Sequence, residues 1–265
     1  MIDIDIDPIL VMIGPFAVSW HGLFSAVGIM VGLWVAARLV RKVGIDSEYV
    51  YNTAIWAVPA GVVGARLFHV VDKFEYYAAN PLAIIAIQEG GLAIYGGLVG
   101  GILAGVLYVH HKRIPLGQFA DAVAPGLILG QAIGRIGDVI NGEHRGLPAD
   151  LPWSVVYTHP NTAGERGLAV HPAVGYEMVW DLAVFGILLW LQGRLPRAGM
   201  LFWLYVALYA VGRFWTGFFR EDSPVLFGLG QAQLIAFASL AAAVIYILAR
   251  GLGRREENEA MFAKR

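Results

Sequence analysis

The chain contains no cysteine in its 265 residues. That excludes disulfides and every thiolate-ligated metal site, so a thiol nucleophile, if the chemistry uses one, arrives with the substrate. Charge is scarce as well: 15% of residues are charged and 58% are hydrophobic, too apolar for a soluble domain of this length. The segment Met1-Ile2-Asp3-Ile4-Asp5-Ile6-Asp7 has no basic residue ahead of an apolar run, so it reads as a short acidic tail and not as a cleaved signal peptide. No repeat relates the two halves. The formal net charge is −1, and no nucleic-acid partner, cofactor or metal is expected.

What the chain does have is long apolar runs. Crossing a bilayer core of about 30 Å takes about 20 apolar residues. Seven runs qualify, at about 17–37, 50–71, 91–109, 116–136, 173–192, 198–219 and 226–249. The run 82–87 is too short to span and is expected to be re-entrant or interfacial. The expected fold is therefore all-α: a polytopic integral membrane protein, a single transmembrane domain over 1–265 with seven helices. The polar stretch 138–172 forms a small extracytoplasmic cap, in which Ser154-Val155-Val156-Tyr157 suits a short strand. With the N-terminus outside, the inner segments hold Arg38, Arg41, Lys42, Lys112, Arg113, Arg194, Arg197, Arg250, Arg254, Arg255, Lys264 and Arg265, twelve of the nineteen basic residues. The positive-inside rule thus selects an outer N-terminus and a cytoplasmic C-terminus, in which the charged tail 250–265 frays.

Within the apolar frame, small and polar residues stand out. Gly97, Gly101 and Gly105 recur at four-residue spacing, as do Gly126, Gly130 and Gly134. Small residues four apart let helix backbones approach closely in lipid, so spans three and four are expected to cross on these faces. Span five carries Glu177 and Asp181 on one face, with Arg66 of span two as a structural partner; Arg66 also has Glu89 as a possible carboxylate. Tyr205, Tyr209 and Arg213 are four apart on span six, and Arg220 follows. The densest cluster is Gly134-Arg135-Ile136-Gly137-Asp138-Val139-Ile140-Asn141-Gly142-Glu143-His144-Arg145-Gly146. An arginine at a helix centre costs about 2.5–3.5 kcal/mol to insert, less near the interface. Its planar fork matches a phosphate, and the glycines are expected to turn the chain sharply around a ligand.

Arg135, Arg213 and Arg220 are all expected near the outer face. Like charges gather in a low-dielectric site around an anion. The abundant anion at that depth is a phospholipid phosphate, so a head-group site near the outer leaflet is the first functional expectation. His21, Tyr95, Asp138, Asn141, Glu143 and Tyr209 add groups able to orient a head group or move a proton.

These residues carry a resemblance. Trp20-His21-Gly22-Leu23, Ile94-Tyr95-Gly96-Gly97-Leu98, the run Gly134 to Glu143, His171-Pro172 with Tyr176-Glu177, and Tyr209 through Arg220 with Glu221 together resemble the bacterial prolipoprotein diacylglyceryl transferases over nearly the whole chain. The resemblance implies seven spans in the bacterial cytoplasmic (inner) membrane and phosphatidylglycerol as lipid donor. It also implies the lipobox cysteine of a prolipoprotein signal peptide as acceptor: the diacylglyceryl group passes to the thiol, forming a thioether and releasing glycerol phosphate. On this reading Arg135, Arg213, His21 and Tyr95 are catalytic. Arg220, Tyr209, Asp138, Asn141, Gly142, Glu143, Gly146, Arg66, Gly96 and Gly97 bind substrate. The alternative is a phospholipid transporter or scramblase, which internal repeats and midplane sites would favour.

Four positions depart from the family pattern. Many members have histidine before the Gly-Gly and tyrosine before the glycine of the first motif, where this chain has Tyr95 and His21. Asp138 stands in place of asparagine and Gly217 in place of glutamate. An unperturbed tyrosine, with a pKa near 10, is a poor base at neutral pH. His21 is the better base of the pair, and the two are expected to line one cavity.

The absence of native cysteine makes the orientation directly testable. Single cysteines introduced at Asp5 and at Asn258 are expected to react with an impermeant maleimide from opposite sides of the membrane. Labelling of both from one side would overturn the topology.

Overall fold

The computed structural model describes residues 1–14, 16–86 and 90–262, with side chains described for all of these except Phe16 and 251–262. The described residues contain eight α-helices: α1 (Trp20–Lys42), α2 (Glu48–Asp72), α3 (Phe74–Ala79), α4 (Ile94–His111), α5 (Leu116–Asn141), α6 (Ala173–Leu191), α7 (Met200–Thr216) and α8 (Gln231–Phe262). Six are long and apolar enough to cross a membrane. The seventh span, α7, has 17 residues and is prolonged by a 3-10 turn over Gly217–Phe219. The all-α polytopic architecture stands, with two boundary shifts. The helix of span four continues to Asn141 instead of ending near 136, and the expected tail after 250 is helical to Phe262.

The chain forms two compact units, 37–119 and the remainder. In the first, α2 and α4 pair through small residues. A Cβ at Gly100 would lie 2.5 Å from the Ala60 carbonyl, whereas one at Gly97 would lie an ordinary 3.5 Å from its neighbours. Gly96 and Gly64 meet backbone to backbone in the same way. The tight seam is therefore Gly96/Gly100 and not Gly97/Gly101, one residue and about 100° around the helix from the expected one. The link after α2 contains α3 and a 3-10 turn, Pro81–Ile85. Arg66, although buried, ties it down through backbone carbonyls: Nε donates to Ile84 (2.8 Å) and Nη1 to Gly90 (2.6 Å) and Gly91 (2.9 Å), while Nη2 donates to Ala83 and Ala86. The expected Glu89 partner lies outside the described residues. Leu82 and Ile85 are strongly exposed on this turn.

In the second unit the glycines of α5 pack on α1. A Cβ at Gly28 would sit 2.5 Å from the Gly130 carbonyl and one at Gly32 2.6 Å from that of Gly126. The sequence identified the packing face of α5 but not its partner, because four-residue spacing marks a smooth face without saying which helix covers it. Ala124, Ile128, Val184, Leu188, Leu201 and Tyr205 form the buried core of α5, α6 and α7. Asp121 of α5 caps α7, accepting from the amides of Gly199 (2.7 Å) and Phe202 (2.8 Å), where a carboxylate also complements the helix dipole.

The segment after α5 contains β4 (Val155–Tyr157), where a strand was expected, and β5 (Ala169–Val170), antiparallel to it. The acidic tail is itself a strand, β1 (Ile2–Ile4), parallel to β4, with Ile4 packed on Val155, Tyr157 and Val170. Its Ile-Asp alternation is the period-two pattern of a strand. The segment 9–19 is a hairpin of β2 (Ile9–Ile13) and β3 (Phe16–Ser19). Tyr157 donates to the Val139 carbonyl at 2.9 Å. Burial pushes its phenol up to about 12, so it stays a donor at any physiological pH. The Leu147 amide donates to the Phe219 carbonyl at 2.9 Å, and Gly146 bridges Arg220, so the same segment is strapped to the turn after α7.

The α1–α5 seam yields a contrast. Gly28→Ala and Gly32→Ala are expected to lower stability by about 1–3 kcal/mol through overpacking. Gly134→Ala, whose Cβ would find its nearest neighbour 4.0 Å away, is expected to be neutral or slightly stabilising. Thermal unfolding in one detergent checks all three; equal losses would refute the seam.

Candidate active site

The polar cluster was expected to be a glycine-rich turn, yet Gly134 through Asn141 are helical. Its glycines serve approach instead. A Cβ at Gly137 would fall 2.5 Å from His21 Cα and 2.8 Å from the Trp20 carbonyl. Because Gly137 has none, the start of α1 lies against α5 and brings His21 Nδ1 to 2.5 Å from Asp138 Oδ1. Asp138 is buried, and its other oxygen receives Arg135 Nη1, one helical turn earlier, at 3.2 Å. The turn comes later, at Gly142 (φ 73°) and His144 (φ 54°). A side chain at Gly142 would strike Thr162 and Tyr157, so only glycine fits there.

Glu177 of α6 is the centre of the charged cluster. Its carboxylate, in a residue only 4% exposed, lies 2.7 Å from Arg135 Nη2, 2.5 Å from Arg213 Nη1 and 3.4 Å from Arg220 Nη1. The Thr216 hydroxyl donates to it at 3.2 Å. The three arginines do converge, as expected. Their anion, however, is supplied by the protein, and the expected partner of Glu177, Arg66, is occupied by carbonyls. Arg220 follows the 3-10 turn in an extended conformation, which swings it back onto the same carboxylate. Its buried Nε has no hydrogen-bond partner among the described residues, and Asp222 Oδ2 stands 3.4 Å away. Buried donors left without a hydrogen-bond partner are uncommon in folded proteins.

Around this knot, Tyr205 accepts from Gln131 Nε2 at 3.1 Å, and Tyr209 sits among Arg135, Arg213, Glu177 and Asp181. Asn141, buried, donates to Glu143 at 3.0 Å. Gly146 lies so close to His171 that any side chain would collide. His171 and Tyr176 form an outer layer: Trp153 Nε1 donates to the Tyr176 hydroxyl at 2.9 Å, and both rings pack on Phe219. Arg145 joins the strap to Glu221 at 2.5 Å.

His144 was not among the expected site residues. It lines a small cavity with Glu143, Arg145, Gly146 and His171. Burial, and then the Arg220 charge, hold its imidazole below the usual histidine range, which favours its neutral form. Its one sequence signal was its position inside the cluster, since nothing in a sequence marks a histidine that adopts a left-handed backbone.

Tyr95, Gly96, Gly97 and Arg66 belong to the other unit. Tyr95 is half-buried in the first turn of α4, and Gly96 is committed to the seam with α2. One further grouping has metal-ligand spacing: His21, Asp138 and Glu143 bring ligand atoms within 4.8 Å of one another. Arg135 already neutralises Asp138 there, which opposes a cation. The arrangement is suited to holding an anion and moving a proton beside it.

A family model for prolipoprotein diacylglyceryl transferase matches residues 8–249. Among relatives, the phosphatidylglycerol–prolipoprotein diacylglyceryl transferase of Thermosynechococcus vestitus is 38% identical, covering 86% of this chain and 87% of its own. That of Dehalococcoides mccartyi is 36% identical over 98% of both chains. That of Clostridioides difficile is 39% identical over 86% of this chain and 89% of its own. With the match running through every element of the charged cluster, this chain belongs to the prolipoprotein diacylglyceryl transferase family.

Proposed function

We propose that this protein transfers the diacylglyceryl group of phosphatidylglycerol to the thiol of a prolipoprotein's lipobox cysteine, forming a thioether and releasing glycerol phosphate. It acts in the bacterial inner membrane, with its N-terminus outside and its C-terminus in the cytoplasm. Family membership supports the reaction class. The observation that carries the site is the convergence of Arg135, Arg213 and Arg220 on Glu177, beside the His21–Asp138 pair.

The chemistry follows from charge. A phosphodiester carries one negative charge, and the departing phosphate gains another as the carbon–oxygen bond breaks. Donors aimed at that developing charge stabilise the transition state more than the ground state. Each guanidinium has five N–H donors, far more in total than one carboxylate can accept. Glu177 therefore holds the forks in position before the lipid arrives and leaves donors for its phosphate. Tyr209, Asn141, Glu143, Gly142 and Gly146 shape the proposed head-group site.

Thioether transfer to a lipobox peptide in detergent tests the reading. Arg135→Lys and Arg213→Lys are each expected to lose about 100-fold or more in turnover, because an ammonium keeps the charge but not the fork. Near-wild-type transfer by the double variant would refute the clamp. Glu177→Gln is expected to cost about 3–5 kcal/mol of stability, since it strands three cations in a buried site. An unchanged unfolding temperature would show that the carboxylate does not organise them.

A further inference from the structure

The His21–Asp138 contact joins the start of α1 to the end of α5, residues 117 apart in sequence, at 2.5 Å. Their environments differ: the His21 side chain is 44% exposed, while that of Asp138 is 6% exposed. Asp138 Oδ1 faces His21 Nδ1, and Oδ2 faces Arg135. A carboxylate on Nδ1 keeps the proton there and leaves Nε2 as a lone-pair acceptor on the opposite edge of the ring. A cysteine thiol with a pKa near 8.5 is only a few per cent ionised at pH 7, so transfer needs an acceptor for its proton.

Building on the proposed function, we propose that His21 Nε2 is the general base that ionises the substrate thiol, with Asp138 as the residue that fixes its tautomer and orientation. The thiol proton passes to Nε2, and the sulfur forms a bond to the glycerol carbon bearing the phosphate ester. The carbon–oxygen bond at that carbon breaks, its electron pair leaving on glycerol phosphate. The imidazolium then gives its proton to the departing phosphate. Asp138 links the two halves of the reaction, because the carboxylate that orients the base also fixes Arg135 of the phosphate clamp. Gly137 belongs to the same device, since only its missing side chain lets α1 bring His21 this close.

The test compares two lipobox peptides, one with cysteine and one with selenocysteine, whose selenol is already ionised at neutral pH. His21→Gln is expected to reduce turnover on the cysteine peptide by about 100-fold and to recover to within about tenfold of wild type on the selenocysteine peptide. Asp138→Asn is expected to follow the same pattern, because its amide can donate to Nδ1 and hold the ring in the unproductive tautomer. Arg135→Lys is expected to lose equally on both peptides, which separates failure of the clamp from failure of the base. Should Asp138→Asn not fold, His21→Gln decides alone. Near-wild-type turnover of His21→Gln on cysteine, or equal losses on both peptides, would overturn the proposal. A wild-type protein that lipidates neither peptide would instead overturn the proposed function.

Discussion

The buried carboxylate of Glu177 is the interaction on which the rest of the site depends. Three guanidinium groups cannot sit together in a low-dielectric bundle without a counter-charge, and Glu177 gathers Arg135, Arg213 and Arg220 from α5, α7 and the turn beyond it. Asp138 and Asp222 at the edges complete the local neutralisation. A site balanced in this way needs no ligand to hold it together, and on the proposed function its surplus donors are what a phosphate would meet. Pre-organisation of this kind lowers the reorganisation needed when charge develops on the leaving group.

Two kinds of contact hold those charges in register. Inside the helical layer, glycines remove side chains where backbones must meet: Gly28 and Gly32 of α1 lie against Gly130 and Gly126 of α5, and Gly137 admits the start of α1. Apolar side chains gain little from leaving lipid for a neighbouring helix, so close van der Waals contact has to supply the association. Beyond the helices, backbone pairing takes over. Leu147 bonds Phe219, Gly146 bridges Arg220, and Arg145 reaches Glu221. The segment after α5 thus fixes the turn that aims Arg220.

Much of this could be read from the sequence because its signals are strong in one dimension. Apolar runs of about 20 residues have one common use, and the helices fall where those runs do. Polar residues inside or beside such runs are costly, so Arg135, Asp138, Asn141, Arg213 and Arg220 identified themselves as a set, whereas Glu177 stood out only as a structural partner for Arg66. Weaker signals were misjudged. The Ile2-Asp3-Ile4 alternation is a strand pattern too short to stand alone, and only pairing with β4 makes it one. The run of glycines around Arg135 suggested a turn, although glycine costs a helix only about 1 kcal/mol, and packing against α1 offsets that.

The sequence by itself determined the membrane class, the number of long helices, the family and the roster of charged residues, because each follows from composition, run length or residue identity along the chain. Tertiary structure alone decided who meets whom. It gave the glycine face of α5 to α1, turned Arg66 towards backbone carbonyls, put three arginines on Glu177, and set His21 against Asp138, 117 residues away in sequence. Spacing along a helix fixes which residues share a face, but the partner of that face depends on how all the helices pack at once. That choice is settled by close contact and charge neutralisation among residues far apart in the chain.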